Sequence, residues 1–266
     1  LEGFVPVPSL TEIIEGTVEE RDRGFGYNTV FWYPKKGGIG QLPLAMASEI
    51  KNIYLEEKVI GIDLREKELE TGSGRREKFD LIVSTIPLPE MAHLIKGLPS
   101  RVSSFLKALE WNSIFNLNLG VDAGHGKEMH WAYFPQEELS FFRVGFFDSF
   151  SSSLAPPGKG ALYAEVSYSR HKPIEKDTII SRIKEDLKST GILNGKGSIC
   201  AQDVNEIEYG YPIYDLQYNR SRAALITYLV NNAIIPCGRY GSWRYFSMED
   251  AILDGRRAAE FCHKNV

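Results

Sequence analysis

The sequence predicts a fold of class α/β plus α+β: the remnant of a three-layer α/β domain into which a mainly antiparallel sheet-and-helix domain is inserted. Three observations lead there. Leu81, Ile82 and Val83 in FDLIVSTIP form a continuous apolar run, the pattern of a strand covered on both faces. Four strand-like stretches follow between Ser113 and Tyr168, with connections too short for crossover helices, so their sheet is mainly antiparallel. Beyond Ala233 the pattern returns to a short buried strand, a Gly-rich turn and a helix, which suits the same α/β domain as the first region.

Each element has a local cause. Ser9-Leu10-Thr11-Glu12 spells a capping box that opens a short helix, and Gly16 is expected to end it. Glu19 to Arg23 reads as a solvated turn. Gly37 to Ile50 reads as a Gly-rich turn feeding a helix, with Leu42, Ala45 and Ala47 toward a core. Asn52 to Leu64 and Lys67 to Thr71 have strand character, and GSGRRE is a turn. Pro87 and Pro89 stop the buried run and start a helix reaching Ile95. A helix from Val102 to Leu109 precedes strands over Ser113 to Val121, Met129 to Phe134, Phe141 to Phe147 and Ala161 to Tyr168. Asp177 caps a helix whose Ile179, Ile180, Ile183 and Leu187 share a face. Asp203 to Tyr209 is a strand, Arg222 to Asn231 a helix, and IIPCGRYG a short buried strand entering a Gly turn. Ser247 caps the last helix, with Glu249 and Asp250 in its first turn.

Composition bounds the function. Of 266 residues, 43% are apolar and 25% charged, the mix of an ordinary soluble globular chain that buries a core without staples. A net charge of −4 gives no reason to expect nucleic acid or an anionic membrane as a partner. No apolar run approaches the roughly 18 residues of a membrane span, and LEGFVPVPSLTE lacks the regions of a signal peptide. Cys200, Cys237 and Cys262 are scattered without a CxxC pair, which argues for a reducing, cytoplasmic setting. No H-x-x-x-H pair, carboxylate cluster or GxSxG marks a metal or hydrolase site. The expected partner is a small-molecule substrate.

The stretch CGRYGSWRYFSMEDAILDGRRAAE, Cys237 to Glu260, is the most informative. Gly238 and Gly241 permit close backbone approach to a ligand. The helix near Ser247 offers N–H groups and a dipole that favour negative charge. An ordinary strand–turn–helix closing a domain would look the same. Tyr209, Tyr211, Tyr214, Trp131 and Tyr133 read either as an aromatic substrate pocket or as sheet packing, and His130 as a surface or interdomain side chain.

GRYGSWRY followed by SMEDAI and a Gly resembles the C-terminal flavin motif of the amine oxidase-like flavoproteins, a superfamily that includes protoporphyrinogen oxidase-like proteins and UDP-galactopyranose mutases. Three further stretches match in order. FWYPKKGGIGQLPLAMA resembles the YP-x-x-GG-x-x-x-L segment, and FDLIVSTIPLPEM the strand-and-turn that returns beneath the flavin. HWAYFPQEELSFFRVGFFDSFSSSLAPPG resembles the substrate-domain stretch of the mutase-like branch. The matches run from Gly24 to Ala259.

The resemblance implies flavin adenine dinucleotide (FAD) in a cleft between two domains. It divides the chain into a linker and substrate-domain helix (1–36), part of the FAD-binding domain (37–98), the substrate-binding domain (99–232) and the C-terminal strand–turn–helix of the FAD-binding domain (233–266). Carried over by position, Val59 meets the adenine and Thr85 lies in the turn near the nucleotide. Gly238 and Arg239 face the pyrophosphate and ribityl chain, and the Met248 backbone N–H lies near the flavin N1–C2 edge. Gly241, Trp243 and Ala251 belong to the same cofactor motif. Arg143, in FFRVGFF, matches an arginine that holds the substrate diphosphate in the mutases, a role that suits a guanidinium fork. Tyr245 matches another mutase contact, and Trp131 and Tyr211 join them as substrate-binding candidates. Phe150 stands where the mutases carry a second tyrosine.

The front of the chain departs from the pattern. A dinucleotide fingerprint needs GxGxxG directly after an apolar strand. Gly24-Phe25-Gly26 has Thr29 at the third position, and Gly38-Ile39-Gly40 has Pro43. The sequence starts at Leu1 rather than Met. The expectation is the C-terminal part of an FAD-dependent oxidoreductase. The alternatives are a mutase-like isomerase acting on a nucleotide sugar through reduced flavin, and a non-catalytic fragment or subunit of a split flavoprotein. A fragment would expose a large apolar surface, for a missing N-terminal half or a second copy to cover.

Overall fold

The computed structural model describes residues 9–18, 31–123, 129–193 and 198–265. The turn expected over Glu19 to Arg23 and the Gly24-Phe25-Gly26 stretch lie outside them. In chain order the first elements are α1 (Leu10–Val18), α2 (Gln41–Ser48), β1 (Val59–Asp63), β2 (Glu68–Thr71), β3 (Arg76–Lys78), β4 (Ile82–Ser84), α3 (Leu88–His93) and α4 (Ser100–Lys107). The inserted region holds β5 (Trp111–Val121), β6 (Trp131–Tyr133), β7 (Arg143–Phe146), α5 (Phe147–Phe150), β8 (Gly160–Tyr168), α6 (Lys176–Ser189), β9 (Ile199–Pro212) and α7 (Tyr218–Asn231). The chain closes with β10 (Ile234–Pro236), α8 (Gly238–Gly241) and α9 (Met248–Asn265).

Three sheets result. β1-β2-β3 is an antiparallel meander, β10 and β4 form a parallel pair, and the five strands β6-β7-β8-β5-β9 are antiparallel throughout. The mixed α/β architecture with antiparallel sheets therefore agrees with the sequence reading.

Strand alternation builds the five-stranded sheet. Ala132, Val144, Ala164, Leu117 and Val204 lie opposite one another across all five strands. Val144, Ala164, Leu117 and Val204, with Phe115, Leu119, Phe146, Leu162 and Val166, pack against Ile179, Ile183 and Leu187 of α6. Because side chains alternate along a strand, the residues one step away face the opposite side, and that face carries the site. A second core joins Leu88, Met91, Leu106, Leu225, Leu229, Ile234 and Trp243, from α3, α4, α7, β10 and the turn after α8. Pro87 is the N-cap of α3, as its fixed φ allows.

Several expectations need correction. α1 continues past Gly16 to Val18; an interior glycine costs a helix only about 1 kcal/mol. The strand expected from Asn52 starts at Val59, after Glu56 turns the backbone at φ 61°. Leu42 and Ala45 of α2 are exposed and Ala47 is half-buried, so this face meets no core among the described residues. Val83 is 43% exposed, because β4 has β10 on one side and no described layer over its other face. The Gly turn after β10 is a single helical turn, α8. No described helix is long and apolar enough to cross a membrane, and no described cluster of His, Cys, Asp or Glu suits a metal ion.

Candidate functional site

The open face of the five-stranded sheet is built from two neighbouring rows. One runs Tyr133, Arg143, Glu165, Asn116, Asn205, and the next Trp131, Gly145, Tyr163, Asn118, Asp203. Both rows are polar or aromatic, one residue out of phase with the apolar rows beneath.

Arg143 and Glu165 face each other across β7 and β8. Arg143 Nε donates to Glu165 Oε2 at 2.8 Å and Nη2 to Oε1 at 2.7 Å, a bidentate pair; Nη1 reaches the Tyr133 hydroxyl at 3.4 Å. Burial by itself lowers the Arg143 pKa, but the Glu165 carboxylate more than reverses this, and the guanidinium stays charged. Tyr163 lies across Gly145, where an added Cβ would fall 2.1 Å from the ring. Burial raises the Tyr163 pKa, with the Arg143 charge opposing it, so the phenol keeps its proton.

The C-terminal segment brings a second guanidinium. Arg239 lies 4.8 Å from the ring centroids of both Tyr211 and Tyr245, which stack on each other at 6.2 Å. Its Nη1 donates to the Phe246 carbonyl at 3.3 Å, while its buried Nε has no partner among the described residues. Tyr211 is positioned by Asn112, whose Oδ1 accepts from the Tyr211 N–H at 2.9 Å where β9 shifts register. The Tyr245 N–H donates to the Tyr214 hydroxyl at 3.0 Å. Burial raises the Tyr245 pKa, and the charges of Arg239 and Arg143 act against the rise.

The residues assigned to a cofactor fall into two adjoining groups. Val59 and Thr85 line one cavity of about 340 Å³, together with Glu57, Lys58, Ser84 and Glu90. Gly238 follows β10 at φ 73°, with open space where a Cβ would sit, but its N–H already donates to Asp254 Oδ2 at 2.8 Å. Gly241 serves a different close approach: an added Cβ would lie 2.3 Å from the Ser84 carbonyl oxygen, so this glycine seats α8 on β4. The Trp243 side chain is 1% exposed and packs edge-on to Trp111 and Tyr209, which makes it core. Met248 is exposed at the start of α9 and Ala251 is half-buried one turn on. Ser247 and Asp250 cap that helix reciprocally, Asp250 N–H to Ser247 Oγ at 3.2 Å and Ser247 N–H to Asp250 Oδ2 at 2.9 Å.

A flavin ring and its polar tail fit part of this set. The unpartnered Arg239 Nε, the open Gly238 and the α9 N-terminus provide a donor, space and a favourable dipole. No GxGxxG turn directly after a strand occurs among the described residues to hold a dinucleotide pyrophosphate. The aromatic candidates divide: Tyr211 and Tyr133 stand beside the guanidiniums, Tyr209 is core packing, and Tyr214 anchors Tyr245. Trp131 stacks on Phe150 at 6.0 Å, in a cluster that also holds Phe31 and His130. Sequence reasoning missed Glu165, Asn112 and Asp254. For Glu165 a signal existed: it is the carboxylate in GALYAEVSY, a strand otherwise apolar, small or aromatic.

Comparison with known proteins bears on the family and the fold. The model of the flavin-containing amine oxidoreductases matches residues 10–262. Among solved structures, a reduced UDP-galactopyranose mutase superimposes with a TM-score of 0.90 at 24% identity, covering 100% of this chain and 59% of that one. A protein described as a protoporphyrinogen oxidase from Exiguobacterium sp. 255-15 gives 0.69 at 15% identity, covering 86% and 51%. A redesigned putrescine oxidase gives 0.63 at 15% identity, covering 86% and 53%. At these identities the structural likeness speaks for the fold, and the chain spans little more than half of each of these proteins.

Proposed function

From the premise that this chain belongs to the flavin-containing amine oxidoreductase family, we propose that it supplies the substrate-binding sheet and the flavin-facing C-terminal segment of an FAD-dependent enzyme whose substrate carries a diphosphate. The observation that carries this reading is a pair of guanidiniums with tyrosine rings beside them, Arg143 on the open face of the sheet and Arg239 against Tyr211 and Tyr245. Arg239 has no ion pair among the described residues, and Arg143 keeps its Nη1 beyond the pair with Glu165; guanidinium donors with tyrosine hydroxyls beside them suit a diphosphate better than a neutral or cationic amine. The likeness to a mutase acting on UDP-galactopyranose supports the same substrate class.

The residues then divide the work. Arg143, held by Glu165, and Arg239, flanked by Tyr211 and Tyr245, bind and orient the phosphates. Gly238, Arg239 and the α9 N-terminus face the flavin. Val59 and Thr85 line the neighbouring cavity where the nucleotide end of FAD belongs. A bound flavin would supply either hydride acceptance from a C–H bond or, in its reduced form, a nucleophile toward a sugar carbon.

UDP should raise the melting temperature of the protein, and Arg143→Ala or Arg239→Ala should abolish the rise. An equal shift in both variants would remove the diphosphate reading. In that case anaerobic bleaching of the flavin by amines, with FAD added, tests the broader oxidoreductase reading.

A second reading has its own support: this polypeptide acts as one part of an assembly. Leu44 is 70% and Leu55 80% exposed, and Val83, Val230 and Phe261 add apolar surface. A monodisperse monomer in light scattering that binds no dye for exposed apolar surface would exclude it.

A further inference from the structure

A bulge at the end of the five-stranded sheet decides how the second guanidinium is held. From the pair of Ile114 and Ile207 to the pair of Asn112 and Tyr211, β5 advances by two residues and β9 by four. In an unbroken antiparallel ladder Tyr209 would stand opposite Asn112. The extra residues put Tyr211 there instead and release Tyr209 to pack on Trp111 and Trp243. We propose that Asn112 is a positioning residue for Arg239: through the Tyr211 backbone it fixes the ring against which the Arg239 guanidinium lies. The proposal rests on the phosphate-binding role of Arg239 only for its ligand measurement.

Three features hold the bulge. Ser113 Oγ donates to the Glu208 carbonyl at 2.7 Å, where the extra stretch begins. Gly210 lies where it ends; an added Cβ would fall 2.8 Å from Ile114 Cγ1 and 3.0 Å from the Asn112 carbonyl oxygen, so any side chain there would push β5 away. The Asn112 side chain reaches both neighbouring strands. Its Oδ1 accepts from the Tyr211 N–H of β9 at 2.9 Å, and its Nδ2 donates to Ser167 Oγ of β8 at 2.7 Å. Because β5 lies between β8 and β9, one amide ties three strands together at the bulge.

Tyr211 depends on this tie. Its hydroxyl makes no hydrogen bond to a described residue. Its ring stands against Tyr245, stacked at 6.2 Å, and against Arg239, whose guanidinium carbon lies 4.8 Å from the ring centroid. Tyr245 has an anchor of its own, its N–H on the Tyr214 hydroxyl at 3.0 Å. Asn112 therefore sets one ring of the pair and Tyr214 the other.

The two guanidiniums are thus held by different physics. Glu165 grips Arg143 by occupying its Nε and Nη2 donors. Arg239 has one described acceptor, the Phe246 carbonyl at 3.3 Å, and two aromatic neighbours. Aromatic faces attract a guanidinium while leaving most of its N–H groups to a ligand. Such a hold follows the placement of the rings, and for Tyr211 that placement is the work of Asn112.

The test reads Arg239 directly in the full chain. In a ¹⁵N spectrum of the arginine Nε–H groups, the Arg239 resonance is the one lost in Arg239→Lys, and ring currents should displace it from the position of a solvated arginine. Tyr211→Leu should remove part of that displacement, and Asn112→Ala should shift the resonance in the same direction. Asn112→Asp keeps an acceptor for the Tyr211 N–H, and the Ser167 hydroxyl can turn to donate to it, so the resonance should stay in place. UDP affinity, measured by calorimetry, should fall about fivefold in Asn112→Ala and in Tyr211→Leu, with no further loss in the double variant. An Arg239 resonance that stays in place in Asn112→Ala, with an unchanged circular dichroism spectrum, overturns the proposal even if UDP binding weakens. If Asn112→Ala does not fold, Asn112→Asp decides: a displaced resonance there overturns the assignment and an unmoved one upholds it. If UDP fails to bind the parent chain, the diphosphate reading falls and the resonance alone judges Asn112.

Discussion

Removing the Glu165 carboxylate should unfold the site from within. The Arg143 side chain is 21% exposed and that of Glu165 11%, and the two share the hydrogen bonds of a bidentate pair. Deleting one member of a buried pair leaves the other charge without compensation, at about 3–5 kcal/mol. Tyr133 and residual solvent at Arg143 soften this, so Glu165→Leu should cost about 3 kcal/mol, the lower end of that range. Glu165→Gln keeps the shape and one acceptor, and should cost about half as much. Replacing both partners, as in Arg143→Met with Glu165→Leu, removes the stranded charge and should recover most of the loss. The assay is urea denaturation followed by tryptophan fluorescence, analysed as a double-mutant cycle. If Glu165→Leu lies within about 0.5 kcal/mol of the parent, or if the double variant is no more stable than the worse single one, the pair does not hold the face together as argued.

Other perturbations follow from the same geometry. Gly145→Ala places a methyl 2.1 Å from the Tyr163 ring; overpacking of this kind costs about 1–3 kcal/mol, and a Tyr163→Ala background should relieve it in the same denaturation assay. Gly241→Ala meets the Ser84 carbonyl at 2.3 Å, a backbone atom that no rotamer change can move, so the variant should show a larger loss and a lower yield of folded protein. Burial pushes the Tyr218 phenol up to about 12, and its hydroxyl donates to the Trp243 carbonyl. A raised folded pKa gives stability that is full below the unfolded value near 10 and is lost as pH rises through about 12. Tyr218→Phe should therefore cost about 1 kcal/mol at neutral pH and flatten the alkaline fall in stability; Tyr209, raised by burial to about 12 as well, keeps part of that slope.

How far the sequence reveals this molecule depends on the range of the interaction involved. Local signals carried well, except that Glu175 and not Asp177 stands at the N-cap of α6, with Asp177 in its first turn. The Ile179, Ile183, Leu187 stripe of α6 lies against the sheet, Pro87 caps α3, and Ser247 caps α9. Expectations failed where a partner layer was assumed. The apolar side of α2 and the run at Val83 look buried by composition, yet burial is a property of what lies opposite, and nothing described lies opposite them. Gly241 shows a related ambiguity: a glycine needed for close approach does not say what approaches, and here it is the Ser84 backbone.

The site tests the same principle most directly. The resemblance points to Arg143 and Tyr245, and the aromatic pattern to Tyr211, but the residues that give Arg143 its setting are invisible, since Glu165 and Asn116 meet it only through the register of β7, β8 and β5. Alternation along GALYAEVSY or WNSIFNLNLGV shows which residues share a face and leaves open which ones line up across strands. Once register is known, the core and the site become one constraint. The rows that bury Leu117, Ala164 and Val144 require Asn116, Glu165 and Arg143 one step away on the other face. A one-residue slip of β8 would bring Glu165 into the apolar core and strand Arg143. Packing against α6 therefore fixes the partner of the guanidinium, and with it the distance from the charged end of the face to its amides.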